Sequence, residues 1–204
     1  MVLIASAAEK RDLLNDIVSS YINIDIKSLA DFRDSANIYN LIKMLAARVG
    51  TKIDYSKLSR LAGISRTTVL NYVELFEQTY LISRVPVHSK SPDREIVKAK
   101  KLYFADTGLL SVLADIDSGA RFENAVFSQL RHHGNVAYFS LKTGREIDFI
   151  LNGKVALECK ETPTDFDKKD LVGLANKAGV ERHYLIGRLR SPFFADYIWG
   201  GGIR

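Results

Sequence analysis

The sequence is poor in cysteine and in long apolar runs, and each shortage closes off a class of protein. A single cysteine, Cys159, among 204 residues excludes an internal disulfide framework and a cysteine-rich zinc site. It reads as a small buried hydrophobe. No run of about eighteen apolar residues exists, so no membrane-spanning helix and no membrane partner are expected. The opening "MVLIASAAEKRDLL" lacks the basic start and long apolar segment of a secretory signal, which points to a cytoplasmic protein. There is no G-x-x-x-x-G-K-[ST] segment, so no nucleotide is expected in this chain. His132 and His133 are adjacent and would point about 100° apart on a helix, so they are not a metal-ligand pair of the i, i+4 kind.

What is present is a globular composition, 47% hydrophobic and 26% charged, long enough for one or two compact units. The net charge of +5 is mildly basic and permits a nucleic-acid partner without requiring one. Most of the excess falls between residues 84 and 101, where Arg84, Lys90, Arg94, Lys98, Lys100 and Lys101 face only Asp93 and Glu95. A solvated loop accounts for such a run equally well.

The first half has helical periodicity. Leu13, Leu14, Ile17, Val18 and Tyr21 share one face, as do Ile38, Leu41, Ile42, Leu45 and Val49, with Gly50 as a stop signal. A short helix over Tyr55 to Ala62, a turn at Gly63 and a longer helix capped by Ser65 make a helix-turn-helix plan. The longer helix is expected to bury Val69, Val73, Phe76 and Tyr80. "LISRVPVH" and "KKLYFAD" would be the strands of a wing around the basic loop. Arg66, Thr67, Thr68 and Asn71 then lie near the N-terminal end of a recognition helix, with Lys90, Arg94 and Lys98 in the wing, where they would meet DNA. Glu74 and Glu77 on the same helix would repel phosphates, which leaves a packing or protein-contact role equally open.

Beyond Asp115 to Gly119, which mark a domain boundary, the order becomes helix, three strands, helix, and one or two strands. "REIDFIL" and "KVALECK" form a hairpin, and a strand reached through the second helix can pair in parallel, so a mixed sheet flanked by helices is expected. Strict alternation puts Ile147, Phe149, Leu151, Val155, Leu157 and Cys159 on one apolar face and Asp148, Glu158 and Lys160 on the other. A two-residue Asn152-Gly153 turn would set Asp148 opposite Leu157. The alternation instead demands Leu151 opposite Val155 and Asp148 opposite Glu158, hence one further residue in the connection. Two carboxylates would then face each other with Cβ atoms about 4.5 to 5.5 Å apart, a destabilising arrangement unless compensated. Mg²⁺ or Mn²⁺ would compensate it, and Lys160 beside the ion could stabilise charge developing on a phosphate.

An acid, nine residues, then E-x-K resembles the PD-(D/E)xK nuclease motif, with Ile147 where that motif has proline. That superfamily often carries a glutamate on the preceding helix, and Glu123 in "RFENAV" matches it. The resemblance implies that Glu123, Asp148 and Glu158 hold one or two magnesium ions and that Lys160 assists attack on a phosphodiester. Across nearly the whole chain, the blocks "NLIKMLAARVG", "LSRLAGISRTTVLNYVELF", "KLYFADTGLL", "RFENAV", "REIDF" and "ALECK" resemble the C-terminal region of a large prokaryotic family of AAA-type ATPases. In that family a P-loop domain precedes a winged helix and a domain of unknown function with a restriction-endonuclease-like fold.

The expected fold is therefore α/β. It comprises a helical linker over 1–35, a winged helix over 36–114 and an αβββαβ nuclease-like domain with a mixed sheet over 115–204. The P-loop domain implied upstream would be the natural partner, and no ATPase activity is expected without it. A catalytically inactive nuclease-like fold, serving as a DNA-binding or protein-interaction domain, is the alternative. Self-association is left open.

Overall fold

Helix α1 (Ala7–Ser20) starts at a capping box in which the Ser6 hydroxyl accepts from the Glu9 amide and the Glu9 carboxylate accepts from the Ser6 amide. It runs into a π-helical turn over Tyr21–Ile26. The computed structural model describes residues 6–26, 35–89 and 91–201. In α2 (Ser35–Ala46) the expected face is fully inward, with Ile38, Leu41 and Ile42 excluded from solvent. The face of α1 is only partly covered, since Leu13 and Ile17 remain exposed.

The helix-turn-helix forms as its local signals require. Asp54 caps α3 (Tyr55–Ala62), which ends on Gly63 in the left-handed region at φ +67°. The Ser65 hydroxyl then accepts from the Thr68 amide and opens α4 (Arg66–Gln78). This helix buries Val69, Tyr72, Val73 and Phe76. Tyr80, expected among them, is instead 81% exposed, because the helix stops at Gln78 and the chain turns at Tyr80 with φ +61°.

Strands β1 (Ile82–Val85) and β2 (Lys101–Phe104) pair in a two-stranded sheet. The basic stretch between them contains a short helix, α5 (Pro92–Val97), where a loop was expected. Lys90 lies outside the described residues, as does the side chain of Arg94. Asp106 caps α6 (Thr107–Leu113). The chain divides into two compact units. One holds the residues up to Val49 with Ile53–Ser83 and Phe104–Ile116; the other holds Gly50–Lys52, Arg84–Tyr103 and the residues from Asp117 onward.

The second unit is built on a five-stranded sheet. Helix α7 (Ser118–Leu130) leads into β3 (Val136–Ser140), β4 (Glu146–Leu151) and β5 (Val155–Lys160). Helix α8 (Asp165–Ala178) carries the chain to β6 (Arg182–Gly187), and β7 (Ile198–Trp199) follows. The strands lie in sequence order; β3, β4 and β5 pair antiparallel, and β5, β6 and β7 pair parallel. The sheet is mixed, as the order of elements implies.

Leu151 faces Val155 across a three-residue connection, so the register is the one the apolar pattern demands. Asn152 and Gly153 take φ values of +53° and +66°, and the Lys154 amide donates to Leu151 O at 3.0 Å. Asn152 is more than a turn former: its side-chain oxygen accepts from the Asn135 amide at 2.8 Å, and its amide nitrogen donates to His133 O at 3.1 Å.

Strict alternation fails in β4. Ile147 to Ile150 spans the same length as Phe139 back to Ala137, so β4 carries one extra residue, a bulge at Asp148-Phe149. Ile147 therefore joins Ile150, Ala156, Leu171 and Leu185 in one core cluster. Phe149 faces the other way, its ring centroid 5.4 Å from that of Tyr103 and 6.2 Å from that of Phe127. Both faces of the hairpin are covered, where one apolar face and one polar face were expected. No described helix is long and apolar enough to cross a membrane.

Candidate active site

The bulge sets Asp148 against the end of β5. Its own amide donates to Glu158 Oε2 at 3.2 Å, while the Cys159 amide donates to Asp148 Oδ2 at 2.9 Å. This reciprocal pair of backbone bonds fixes two carboxylates side by side. Lys160, two residues along β5, places Nζ 2.9 Å from Glu158 Oε1 and 3.9 Å from Asp167 Oδ1 in the first turn of α8. The three residues of the acid–E-x-K pattern are thus brought together.

Glu123 reaches the same neighbourhood from α7 but is turned toward β2. Tyr103 donates its hydroxyl to Glu123 Oε1 at 2.5 Å, and Lys101 Nζ lies 3.6 Å from the same oxygen. Behind it, the Gly50 amide donates to Leu102 O at 2.8 Å. A Cβ on Gly50 would stand 3.3 and 3.4 Å from the two carboxylate oxygens of Glu123. Backbone thus closes that side of the carboxylate.

The centre of the cluster is a residue that sequence reasoning left in a solvated charge run. Lys101 is 2% exposed, with Nζ 2.8 Å from Glu146 Oε1, 3.6 Å from Asp148 Oδ1 and 5.7 Å from the centre of the Tyr138 ring. Lys52, bridged antiparallel to Lys101, holds the other oxygen of Glu146 at 3.0 Å. Tyr103 and Glu146 were also passed over as site residues. The signal available for Lys101 was its place two residues before Tyr103 in a strand-like "KLYF", a spacing that puts both on one face.

Burial and crowding set the charges. Glu158 is pushed up to about 8, first by burial and then by the Asp148 carboxylate, against the pull of Lys160. Glu123 is raised to about 7 for the same two reasons, partly offset by Lys101 and the Tyr103 hydroxyl. Burial likewise raises Asp148, although Lys101 and the Cys159 amide oppose it. Burial also raises Glu146, but its bonds to Lys101 and Lys52 outweigh that and leave it below its ordinary value. Burial would lower Lys101, yet Asp148, Glu123 and Glu146 together hold it above the usual lysine range. The Cys159 thiol is driven well up by burial and by Asp148, so it carries no reactive thiolate.

Among the described residues, no group of three or more His, Cys, Asp or Glu is arranged to hold a metal ion. The donor chemistry of Asp148 and Glu158 nevertheless fits magnesium, which takes hard oxygen ligands, uses one or two carboxylates and keeps several waters. Glu123, expected as a further ligand, directs Oε1 to Tyr103 and Lys101 instead. Of the nucleic-acid residues expected on α4, Arg66, Thr67 and Asn71 are exposed, whereas Thr68 is half-buried with its hydroxyl 2.7 Å from that of Ser65. Lys98 is exposed.

Residues 2–120 match the family described as Domain of unknown function (DUF8612). An uncharacterized protein of Haemophilus influenzae is 26% identical over 182 residues, covering 81% of this chain and 45% of that protein. An uncharacterized protein of Methanocaldococcus jannaschii is 26% identical over 156 residues, covering 71% of this chain and 35% of the relative. The chain thus spans less than half the length of either. No solved structure matches.

Proposed function

The chain belongs to the DUF8612 family, and from that premise we propose that its sheet unit is a nuclease-like module with a magnesium-dependent phosphodiesterase site, joined to a nucleic-acid-binding helix-turn-helix. In this reading the α7-to-β7 unit is a restriction-endonuclease-like fold, and α3, α4 and the β1-β2 pair are a winged helix. The whole would serve an AAA-type ATPase domain in a longer cytoplasmic protein.

The observation that supports the proposal best is the pair of backbone bonds, Asp148 amide to Glu158 and Cys159 amide to Asp148, with Lys160 Nζ 2.9 Å from Glu158. Asp148 and Glu158 would hold the ion. A bound divalent ion supplies Lewis-acid stabilisation of a phosphoryl oxygen and lowers the pKa of a coordinated water. Lys160 would leave Glu158 for the substrate, orienting one phosphate oxygen and offsetting the charge that builds on it during attack. Exposed Arg66 and Asn71 at the start of α4 would contact backbone phosphate and base edges.

A direct test incubates the protein with labelled single- and double-stranded DNA and RNA in Mg²⁺ or Mn²⁺, beside Lys160→Met. Cleavage by the wild type that falls at least about a hundredfold in the variant is expected; no product on any substrate sinks the enzymatic reading. One observation favours a second reading. Lys101 already supplies a positive charge to three acids of the cluster, which suits a fold that binds nucleic acid without cutting it. That reading expects salt-sensitive binding weakened by Arg66→Glu, with no product.

A further inference from the structure

We propose that the Lys101 ammonium permanently fills one cation position of this site, the one between Glu123 and Asp148, so that the centre takes one divalent ion fewer than its acids could hold. The inference rests on the metal-dependent reading of Asp148 and Glu158. It concerns a residue on β2, outside the acid–E-x-K pattern.

The geometry carries it. Nζ stands 3.6 Å from Glu123 Oε1 and 3.6 Å from Asp148 Oδ1, within reach of both carboxylates at once. A magnesium ion contacts oxygen at about 2.1 Å and demands near-octahedral room, and an ammonium within reach of both carboxylates removes that room. Lys101 does not swing away easily: it is 2% exposed, hydrogen-bonded to Glu146 at 2.8 Å and packed over Tyr138. The neighbours are committed as well. Tyr103 holds Glu123 by a hydrogen bond to the oxygen that faces Lys101, and Lys52 holds the far oxygen of Glu146. Toward β5, the Asp148 amide donates to Glu158, and Glu158 has Lys160, 35% exposed, as its cationic partner. One cation place is therefore built into the buried part of the cluster, and the other is filled by a lysine that is partly exposed.

Removing the built-in cation should create a place for one more ion. Bound Mn²⁺ is counted by electron paramagnetic resonance, and thermal midpoints are followed against Mg²⁺, for wild type, Lys101→Met and Lys101→Arg. One ion per chain in the wild type and two in Lys101→Met, with a Mg²⁺-dependent rise in melting temperature steeper in Lys101→Met, is the expected result. Lys101→Arg keeps the wild-type count. No ion in the wild type but one in Lys101→Met would still support the inference while removing the metal reading of Asp148 and Glu158. Two ions in the wild type would overturn the inference and leave that reading intact. Equal counts in wild type and Lys101→Met would also overturn it. Should Lys101→Met fail to fold without metal, the double variant Lys101→Met, Glu146→Gln removes one acid with the cation and is held to the same counts.

Discussion

Replacing Gly50 by alanine tests whether the backbone beside Glu123 is part of the site's wall. Two effects add. Gly50 has φ +77°, a left-handed conformation that costs a non-glycine residue about 1–2 kcal/mol. The new methyl would also stand 3.3 and 3.4 Å from the Glu123 oxygens, so the carboxylate must retreat by a few tenths of an ångström. It has little freedom to do so, because Tyr103 holds it at 2.5 Å. A hydrogen bond of this kind is worth about 0.5–1.5 kcal/mol, and loosening it costs about 1 kcal/mol.

Gly63 provides the control. Its φ is +67°, and a Cβ there meets nothing within 4 Å, so Gly63→Ala pays conformational strain alone. At about 2–4 °C per kcal/mol for a chain of this length, Gly63→Ala is expected to lower the melting temperature by about 2–8 °C. Gly50→Ala should lose a further 2–4 °C or so. Thermal unfolding followed by circular dichroism reads both. Equal losses in the two variants, or no loss at Gly50, would refute the claim that Glu123 is held against the Gly50 backbone.

Two other outcomes follow from the same geometry. In metal-free protein, folded Glu123 and Glu158 keep protons to about 7 and 8, while the unfolded chain releases them near 4.5. The stability tied to those protons is complete below about 4.5 and is lost as pH rises through 7 and 8. Urea midpoints should therefore fall between about pH 5.5 and 8.5, saturating Mg²⁺ should oppose the fall, and a midpoint that rises over this range would contradict the charge assignment. Phe149→Ala empties a fully buried position against the Tyr103 and Phe127 rings and is expected to cost about 3–5 kcal/mol by urea unfolding. A loss under about 1 kcal/mol would mean that Phe149 is not packed against those rings.

Much of this architecture is legible in the residues themselves. The caps Asp54 and Ser65, the left-handed Gly63 and the apolar face of α2 are local signals, and each acts where it stands. The hairpin register was legible too, because a one-residue slip would have put charges in the core and only Leu151 against Val155 avoids it. The bulge at Asp148-Phe149 was not. It answers to the pairing of β4 with β3, a non-local constraint that alternation along one strand cannot reveal.

The same limit hid the lysine. In the chain, Lys101 ends a basic run; in the fold, Gly50–Lys52 and Arg84–Tyr103 lie with the sheet unit, and Lys101 stands among acids from α7 and β4. Burial of a charge depends on partners far away in sequence, and a window of charges reads as solvated by default. Tyr80 failed for the opposite reason. Its helical spacing was right, but the helix ended two residues too soon.

The acid pair Asp148 and Glu158 must act as a cation site if the sheet unit is a metal-dependent module. Calorimetric titration of Mg²⁺ into wild-type protein and Asp148→Asn, at about pH 8.5, above the value near 8 to which Glu158 is raised, decides it. Saturable binding in the wild type, weakened at least about tenfold in a variant that still melts cooperatively, is the predicted result. Absence of binding to the wild type, or equal affinity in both proteins, would contradict it.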